Sequence, residues 1–386
     1  MADSILISAG EASGDLYAAH LVEALNERRA NLTFFGCAGP RMQAAGVDPV
    51  VDSSSLAVAG IVEVARHIPR IYREYRKLLA AVRTRRPRLA ILTDSPDFHL
   101  RLARQLAKLG IPVVYLVAPQ VWAWRKDRLP VMRRTIRRLL CIFPFEEQFF
   151  RDHNMPVTYI GHPLTRLIRA SASPAELRRR FGVEVGVPLI ALLPGSRSGE
   201  VTRHLPDLVE AAERIRARRP AQFILALPKG FSSQSDLRTF RERFLRSSIQ
   251  VQEGHTWDVL ATADLALAAS GTVTVEACLL RTPMITFYRV NRLSWIAGKL
   301  LVRVPFYSMV NLIAGRRVVP EIMQDELSGA RLADEAERLL SDGGALASMR
   351  AELDEVRARL AGPEDPIRFA ASQVEEFLSE ERVHAL

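Results

Sequence analysis

Cysteine is scarce. The 386 residues hold three, Cys37, Cys141 and Cys278. They lie far apart and form no metal-ligand spacing, which excludes a disulfide scaffold or a zinc module and fits a reducing compartment. No uncharged apolar run is long enough to span a bilayer. The longest candidate, from Gly110 to Trp124, is short and contains Pro112 and Pro119. The first residues lack a basic region followed by a long apolar stretch, so no secretory signal peptide is expected and the chain reads as cytoplasmic. Acidic residues are the minority, 43 against 53 Lys plus Arg, for a formal net charge of +10. A basic balance of this kind seeks anions: nucleic acid, acidic lipid or phosphorylated small molecules. Zinc-finger spacing, an RRM-type aromatic motif and a basic zipper are all missing, so nucleic acid is not an expected partner.

What is present is a core. At 48% hydrophobic the chain is not disordered, and its length suits two or three domains. The clearest stretch runs from Pro188 to Glu200. Leu189–Leu193 is an unbroken apolar run, as in a strand buried on both faces. Pro194, Gly195 and Ser196 end it and free backbone N–H groups. Arg197 follows at once, before a helical pattern. Backbone N–H groups, a helix N-terminus and a guanidinium at a strand's carboxyl end suit an anion, above all a phosphate. An ordinary strand-to-helix turn with a solvated arginine is the competing reading. Ser270, Gly271 and Thr272 repeat the arrangement after the strand Leu265–Ala268. Glu276 falls one turn into the helix that follows, within reach of a ribose diol; a capped core helix is the alternative.

Strands alternate with helices throughout, and each half begins with a Gly/Ser turn. The pattern predicts an α/β fold of two Rossmann-like domains facing a cleft. The expected division is 1–164 for the first domain, 165–187 for a linker and 188–362 for the second. Residues 363–386 form a last helix that returns to the first domain or crosses to a partner. In the first half, Ser4–Ser8 leads into Gly10, Glu11, Ser13, Gly14 and Asp15, with a helix from about Leu16 that Ser13 or Asp15 can cap. Leu89–Thr93 opens into Asp94 and Asp97, then a helix from about His99. Two carboxylates on one loop supply a base and an orienting group, whereas Asp97 as a helix cap is the plainer reading. Trp122 and Trp124, two of four tryptophans, share one loop as a binding wall or an edge packing. His162 follows Gly161 and, as a lone histidine, is more often structural. Pro69–Thr84 reads as a basic amphipathic helix with Ile71, Tyr75, Leu78, Leu79 and Val82 on one face, either packed on the sheet or lying on an anionic membrane. The aromatic and basic stretch Phe287–Tyr307 suits a lipid, a membrane or a partner subunit.

The motifs, in order, resemble those of the lipid-A-disaccharide synthase family, inverting glycosyltransferases with a B-type two-Rossmann fold. The matching stretches are 9–15, 95–98, 121–124, 161–162, 192–197 with Glu200, 269–272 with Glu276, and 311–316. The set spans nearly the whole chain. The Thr93–Asp97 run departs slightly from the family pattern but keeps both aspartates.

The resemblance implies transfer of a sugar from UDP-2,3-diacylglucosamine to the 6-hydroxyl of 2,3-diacylglucosamine 1-phosphate. The products are a β-1,6-linked lipid A disaccharide 1-phosphate and UDP. It implies Asp97 as base, with Glu11 or Asp94 orienting, and Arg197 as stabiliser of the leaving group. Gly195, Ser196, Arg197, Glu200, Ser270, Gly271, Thr272, Glu276, Asn311 and Glu321 become the expected UDP-sugar contacts. Gly10, Ser13, Gly14, Asp94, Trp122 and His162 become acceptor or lipid contacts. No Asp-x-Asp pair is present to hold a metal–diphosphate complex, so no metal and no cofactor is expected. Lipid substrates imply a peripheral position on the inner face of the inner membrane, through the basic amphipathic segments. A homodimer is compatible with the last helix. Two readings compete: a soluble B-fold transferase or 2-epimerase acting on UDP-N-acetylglucosamine, and a non-catalytic nucleotide- or lipid-binding module.

Overall fold

In the first half, seven apolar runs form one parallel sheet. They are β1 Asp3–Ala9, β2 Leu32–Ala38, β3 Val47–Asp52, β4 Leu89–Thr93, β5 Val113–Leu116, β6 Arg138–Cys141 and β7 Val157–Tyr159. Six more form a second: β8 Leu189–Leu193, β9 Gln222–Leu227, β10 Ile249–Glu253, β11 Leu265–Ala269, β12 Met284–Tyr288 and β13 Glu321–Met323. This is a computed structural model, and it describes residues 3–53, 61–231, 244, 247–291, 295, 304–362 and 364–384.

The strand orders are β3-β2-β1-β4-β5-β6-β7 and β10-β9-β8-β11-β12-β13, and all pairings are parallel. Each sheet therefore reverses direction once, between β1 and β4 in the first and between β8 and β11 in the second. Doubly wound sheets bind ligands beyond the strand ends at that point. The central strands are dry: all five residues of β4, β8 and β11 are buried. Each fully buried Leu or Ile there contributes about 1.5–3 kcal/mol of transfer free energy.

The chain divides into two compact units. The first comprises 1–166 with 360–386, and the second 167–359. The stretch 165–187, read from the sequence as a linker, is folded into the second unit from Leu167 onward. Ser171 donates from its backbone N and its hydroxyl to Asp258, at 2.6 and 2.7 Å, and Arg178 holds Asp264 at 3.1 Å. The helix Pro366–His384 packs on helix Ala12–Arg28 of the first unit, where Arg28 meets Glu375 at 2.8 Å and Arg29 meets Ser379 at 2.9 Å.

Two strands carried no clear sequence signal. β3 holds Pro49 and two aspartates, and β13 is three residues long; both are edge strands, where such composition is tolerated. A helix near Leu237–Arg246, which the strand–helix alternation of the sequence predicts, lies outside the described residues except Phe244.

Candidate active site

At the β1/β4 reversal two loops lock together. Asp94 and Ser95 leave β4 in the left-handed region, at φ 55° and 38°. That turn aims the Asp94 carboxylate back at the end of β1, where Oδ1 accepts from Gly10 N at 2.9 Å and Oδ2 from Glu11 N at 3.1 Å. The approach is so close that a Cβ on Gly14 would overlap Asp94 Oδ2, and one on Gly10 would overlap Ser95 Oγ. These two glycines are thus a steric requirement of the loop pair. Burial pushes the Asp94 carboxyl up to about 7 and the Glu11 charge adds to the effect, while the N–H bonds pull it down.

A buried chain of hydrogen bonds fixes this turn. Burial lowers the His99 pKa to about 4, so the ring is neutral near pH 7. Its Nδ1 donates to the Asp94 carbonyl at 2.9 Å, and Ser8 donates its hydroxyl to Nε2 at 2.8 Å. The buried Tyr115 hydroxyl donates to the same carbonyl. The sequence reading did not single out His99, although a histidine two residues beyond Asp97 on an apolar helix face was available as a signal.

Helix Pro96–Lys108 begins three residues earlier than expected, with Ser95 as N-cap and no side-chain cap bond. Asp97 is therefore inside the first turn and does not cap. Its side chain is 73% exposed, and Oδ1 is ion-paired with Arg128, whose side chain is only 8% exposed and lies 5.5 Å from the Trp124 ring centroid. Nothing in the local sequence around Arg128 announced this pair, which joins residues 31 apart.

Helix Ala12–Arg28 likewise starts early. Glu11 is its N-cap, with no side-chain cap bond, and Ser13 lies within it. Asp15 does not cap this helix. It is buried and accepts from Gly39 N at 2.8 Å, Arg41 N at 3.0 Å and Met42 N at 3.2 Å, so it caps Pro40–Ala44 instead. Trp122 donates to the buried Glu146 at 3.0 Å and stands edge-on to Phe145. Burial pushes the Glu146 pKa up to about 8. His162 is a core residue: it is 1% exposed, its pKa is lowered to about 3 by burial, and its Nδ1 accepts from Leu164 N. No open surface is left on that ring for a ligand.

The β8/β11 reversal in the second unit is built differently. Gly195 sits at φ 122°, and an added Cβ would come within 2.6 Å of Glu200 Oε2. That oxygen accepts from Ser196 N at 3.2 Å and Arg197 N at 3.3 Å. The N–H groups expected to cradle a phosphate are thus occupied by the chain's own carboxylate. Glu200 Oε1 accepts from the Tyr288 hydroxyl at 2.8 Å and lies 3.6 Å from Arg197 Nη1. The Arg197 side chain remains 48% exposed. Ser270 donates its hydroxyl to Tyr307 O at 2.8 Å, which fixes the turn before helix Thr272–Leu279. Gly271 is exposed, and a Cβ there would meet nothing within 4 Å. Glu276 is half-buried on that helix.

Asn311 and Glu321 are hydrogen-bonded to each other and to neighbouring backbone. Asn311 is fully buried: Oδ1 accepts from Val318 N at 2.7 Å and Val319 N at 2.9 Å, and Nδ2 donates to Val319 O and Glu321 Oε1, both at 2.9 Å. Glu321 also accepts from Tyr307 N at 3.1 Å and Ser308 N at 2.8 Å. These two side chains clamp loop to loop. Arg289 is an internal fastener too, paired with Asp207 at 2.7 Å. Arg292, Lys299 and Arg303 lie outside the described residues. Among the described residues no His, Cys, Asp and Glu cluster is arranged to hold a metal ion, and no helix is long and apolar enough to cross a membrane.

The profile of the family described as Lipid-A-disaccharide synthetase matches residues 5–364. The chain is 55% identical over 380 residues to the lipid-A-disaccharide synthase of Solibacter usitatus, covering 98% of this chain and 99% of that one. The chain belongs to the lipid-A-disaccharide synthase family. A second member, from Myxococcus xanthus, is 42% identical over 382 residues, with 98% of each chain covered. Solved structures agree on the fold alone. A UDP-N-acetylglucosamine 2-epimerase from Neisseria meningitidis, bound to UDP-N-acetylglucosamine, aligns with TM-score 0.61 at 12% identity over 98% of this chain and 100% of that one. A transferase from Siraitia grosvenorii in complex with UDP gives 0.60 at 11% identity, over 98% and 100%. The two Rossmann-like sheets of this family member are thus of the glycosyltransferase B type.

Proposed function

We propose that this family member is an inverting glycosyltransferase that joins UDP-2,3-diacylglucosamine to 2,3-diacylglucosamine 1-phosphate, giving the β-1,6-linked disaccharide 1-phosphate and UDP. The observation that carries the reading is the end-to-end match to synthases of that name. In the reaction the acceptor 6-hydroxyl oxygen bonds to the anomeric carbon, its proton passes to a carboxylate, and the bond to UDP breaks with the electron pair leaving on the diphosphate. Asp97 is the base. It is exposed, and the Arg128 guanidinium beside it holds one oxygen and leaves the other available. Asp94 orients instead, because both its oxygens are engaged by Gly10 and Glu11.

Arg197 and the N-terminal end of helix Thr272–Leu279 offset the charge developing on the leaving diphosphate, and Glu276 holds the ribose. No metal is required in this mechanism; turnover abolished by EDTA and restored only by magnesium would count against it. Mass spectrometry of the products from the two diacylated substrates is the decisive experiment. A disaccharide from unacylated UDP-N-acetylglucosamine, or its epimerisation, would point to a different B-fold enzyme.

Placement on the inner face of the inner membrane is part of the same proposal. On helix Ile61–Arg85, Tyr75, Leu78 and Val82 turn to the core, while Ile68 and Tyr72 are 56% and 58% exposed beside Arg73 and Arg76. An apolar pair framed by cations suits reversible binding to an anionic bilayer. Ile68→Ser with Tyr72→Ser is expected to weaken sedimentation with phosphatidylglycerol vesicles. A homodimer that exchanges helix Pro366–His384 would reuse the Arg28–Glu375 contact between chains, and sedimentation velocity tests it.

A further inference from the structure

One face of helix Pro96–Lys108 carries, beyond the proposed base Asp97, three cations that the proposed reaction does not use. Asp97, Arg101, Arg104 and Lys108 recur at steps of four, three and four, so they line one side of the helix, about 6, 10 and 16 Å along the axis from Asp97. Two cavities lie against this face. The first, about 180 Å³, is bordered by Asp97, Leu100, Arg101, Arg104, Arg125 and Val131. The second, about 400 Å³, is bordered by Arg104, Lys108, Val131, Arg134 and Thr135. Arg104 and Val131 border both, so the two form one trough between helices Pro96–Lys108 and Leu129–Thr135.

The charges in this trough are unbalanced. Asp97 is paired with Arg128, and Asp127 with Arg125 at 3.1 Å. Arg101, Arg104, Lys108 and Arg134 then remain with no ion-pair partner among the described residues. Like charges facing one another across a groove repel, and a dianion between them relieves the repulsion.

We propose that this trough binds the anomeric phosphate of the acceptor sugar, with Arg104 as the main contact and Arg101 and Lys108 supporting it. The inference rests on the glycosyltransferase reading and adds a specificity determinant to it. The reacting 6-hydroxyl and the phosphate are at opposite ends of one sugar. A sugar that meets Asp97 with its hydroxyl and lies in the cavity bordered by Asp97, Arg101 and Arg104 places its phosphate toward those two arginines. The trough thus measures the acceptor: it rewards a sugar phosphate and leaves a neutral sugar without a partner for the cations.

The test compares acceptors with and without the 1-phosphate in detergent micelles, for the full chain and for Arg104→Ala and Arg104→Glu. Arg104 is exposed, so both variants are expected to fold, and an unchanged melting temperature checks it. Removing a charge-assisted contact should raise KM for the phosphorylated acceptor about tenfold or more, and further for the glutamate variant. Neither KM for the UDP donor nor KM for the dephosphorylated acceptor should rise, so the preference for phosphate collapses. Equal preference in wild type and variants overturns the proposal. So does loss of binding to phosphatidylglycerol vesicles with the acceptor preference intact, which would assign the trough to lipid headgroups. A wild-type chain with no turnover on any diacylated pair removes the underlying reading, and the trough proposal with it.

Discussion

The two sheets reverse at β1/β4 and at β8/β11, and both reversals present backbone N–H groups at the end of a buried strand. Both sets are answered by a carboxylate of the same chain, yet the carboxylates come from different places. In the first unit Asp94 reaches across from the neighbouring strand, 84 residues from Gly10. In the second, Glu200 reaches back from the helix just begun, four residues from Ser196. The first arrangement ties two loops together and depends on glycines at 10 and 14. The second is a local cap; beside it Gly271 is exposed and Arg197, 3.6 Å from Glu200, keeps a half-exposed side chain. A strand-end turn rich in glycine is thus not in itself a phosphate cradle.

That contrast is sharpest in two substitutions that assign opposite tasks to the two reversals. Asp97→Asn removes the proposed base, and turnover is expected to fall about 10²–10⁴-fold while UDP binding by calorimetry is kept. Unchanged turnover would remove Asp97 from that role. Arg197→Ala removes the proposed leaving-group stabiliser, so kcat should fall about 10²-fold with little change in melting temperature, because the side chain is half-exposed. A loss confined to KM for the donor would make Arg197 a ground-state anchor.

Stability distinguishes the loops in the next smaller range. Gly14→Ala puts a methyl group into the Asp94 carboxylate, and the loop pair must part. A loss of about 2–4 kcal/mol in urea unfolding is expected, as for other overpacked buried positions. Gly271→Ala meets open space at an extended φ of 166°, so its change should be within about 0.5 kcal/mol. If both cost the same, the first reversal is no more tightly closed than the second.

Much of this was legible in the sequence, for physical reasons that also explain the rest. Leu189–Leu193 and Leu265–Ala269 are unbroken apolar runs, and such runs are readable because burial on both faces leaves no polar position. The Gly10–Gly14 and Gly195–Arg197 turns were visible because glycine and proline mark where the backbone must bend. Long-range pairing was not visible. Nothing near Asp97 names Arg128 as its partner, and nothing near Gly10 names Asp94, 84 residues on. Asn311 in its motif reads as a ligand contact, and nothing in its spacing announces the four side-chain hydrogen bonds by which it closes a buried loop. Side-chain satisfaction is decided by neighbours far away in the chain, and one-dimensional spacing carries little of it.

The smallest expected effect isolates the first reversal by pH. Burial holds the Asp94 carboxyl at about 7 in the folded chain, against about 4 for an aspartate in an unfolded one. Between those values the folded chain keeps a proton that the unfolded chain releases. The stability from this group is therefore complete below about pH 4 and is lost as pH rises through 7. The full difference corresponds to about 4 kcal/mol, but Asp94 is only half-buried overall, so about 1–2 kcal/mol is expected. Asp94→Asn removes the titration and keeps an oxygen for one N–H of Gly10 or Glu11. Unfolding free energies from urea titrations at pH 5 and pH 8 should then differ by about 1–2 kcal/mol more in wild type than in the variant. Glu146, raised to about 8, loses stability in the same direction but is present in both proteins and cancels. Identical slopes would mean that the bonds from Gly10 and Glu11 offset the burial of Asp94 completely. The two reversals would then be electrostatically alike, and only the glycine contacts would separate them.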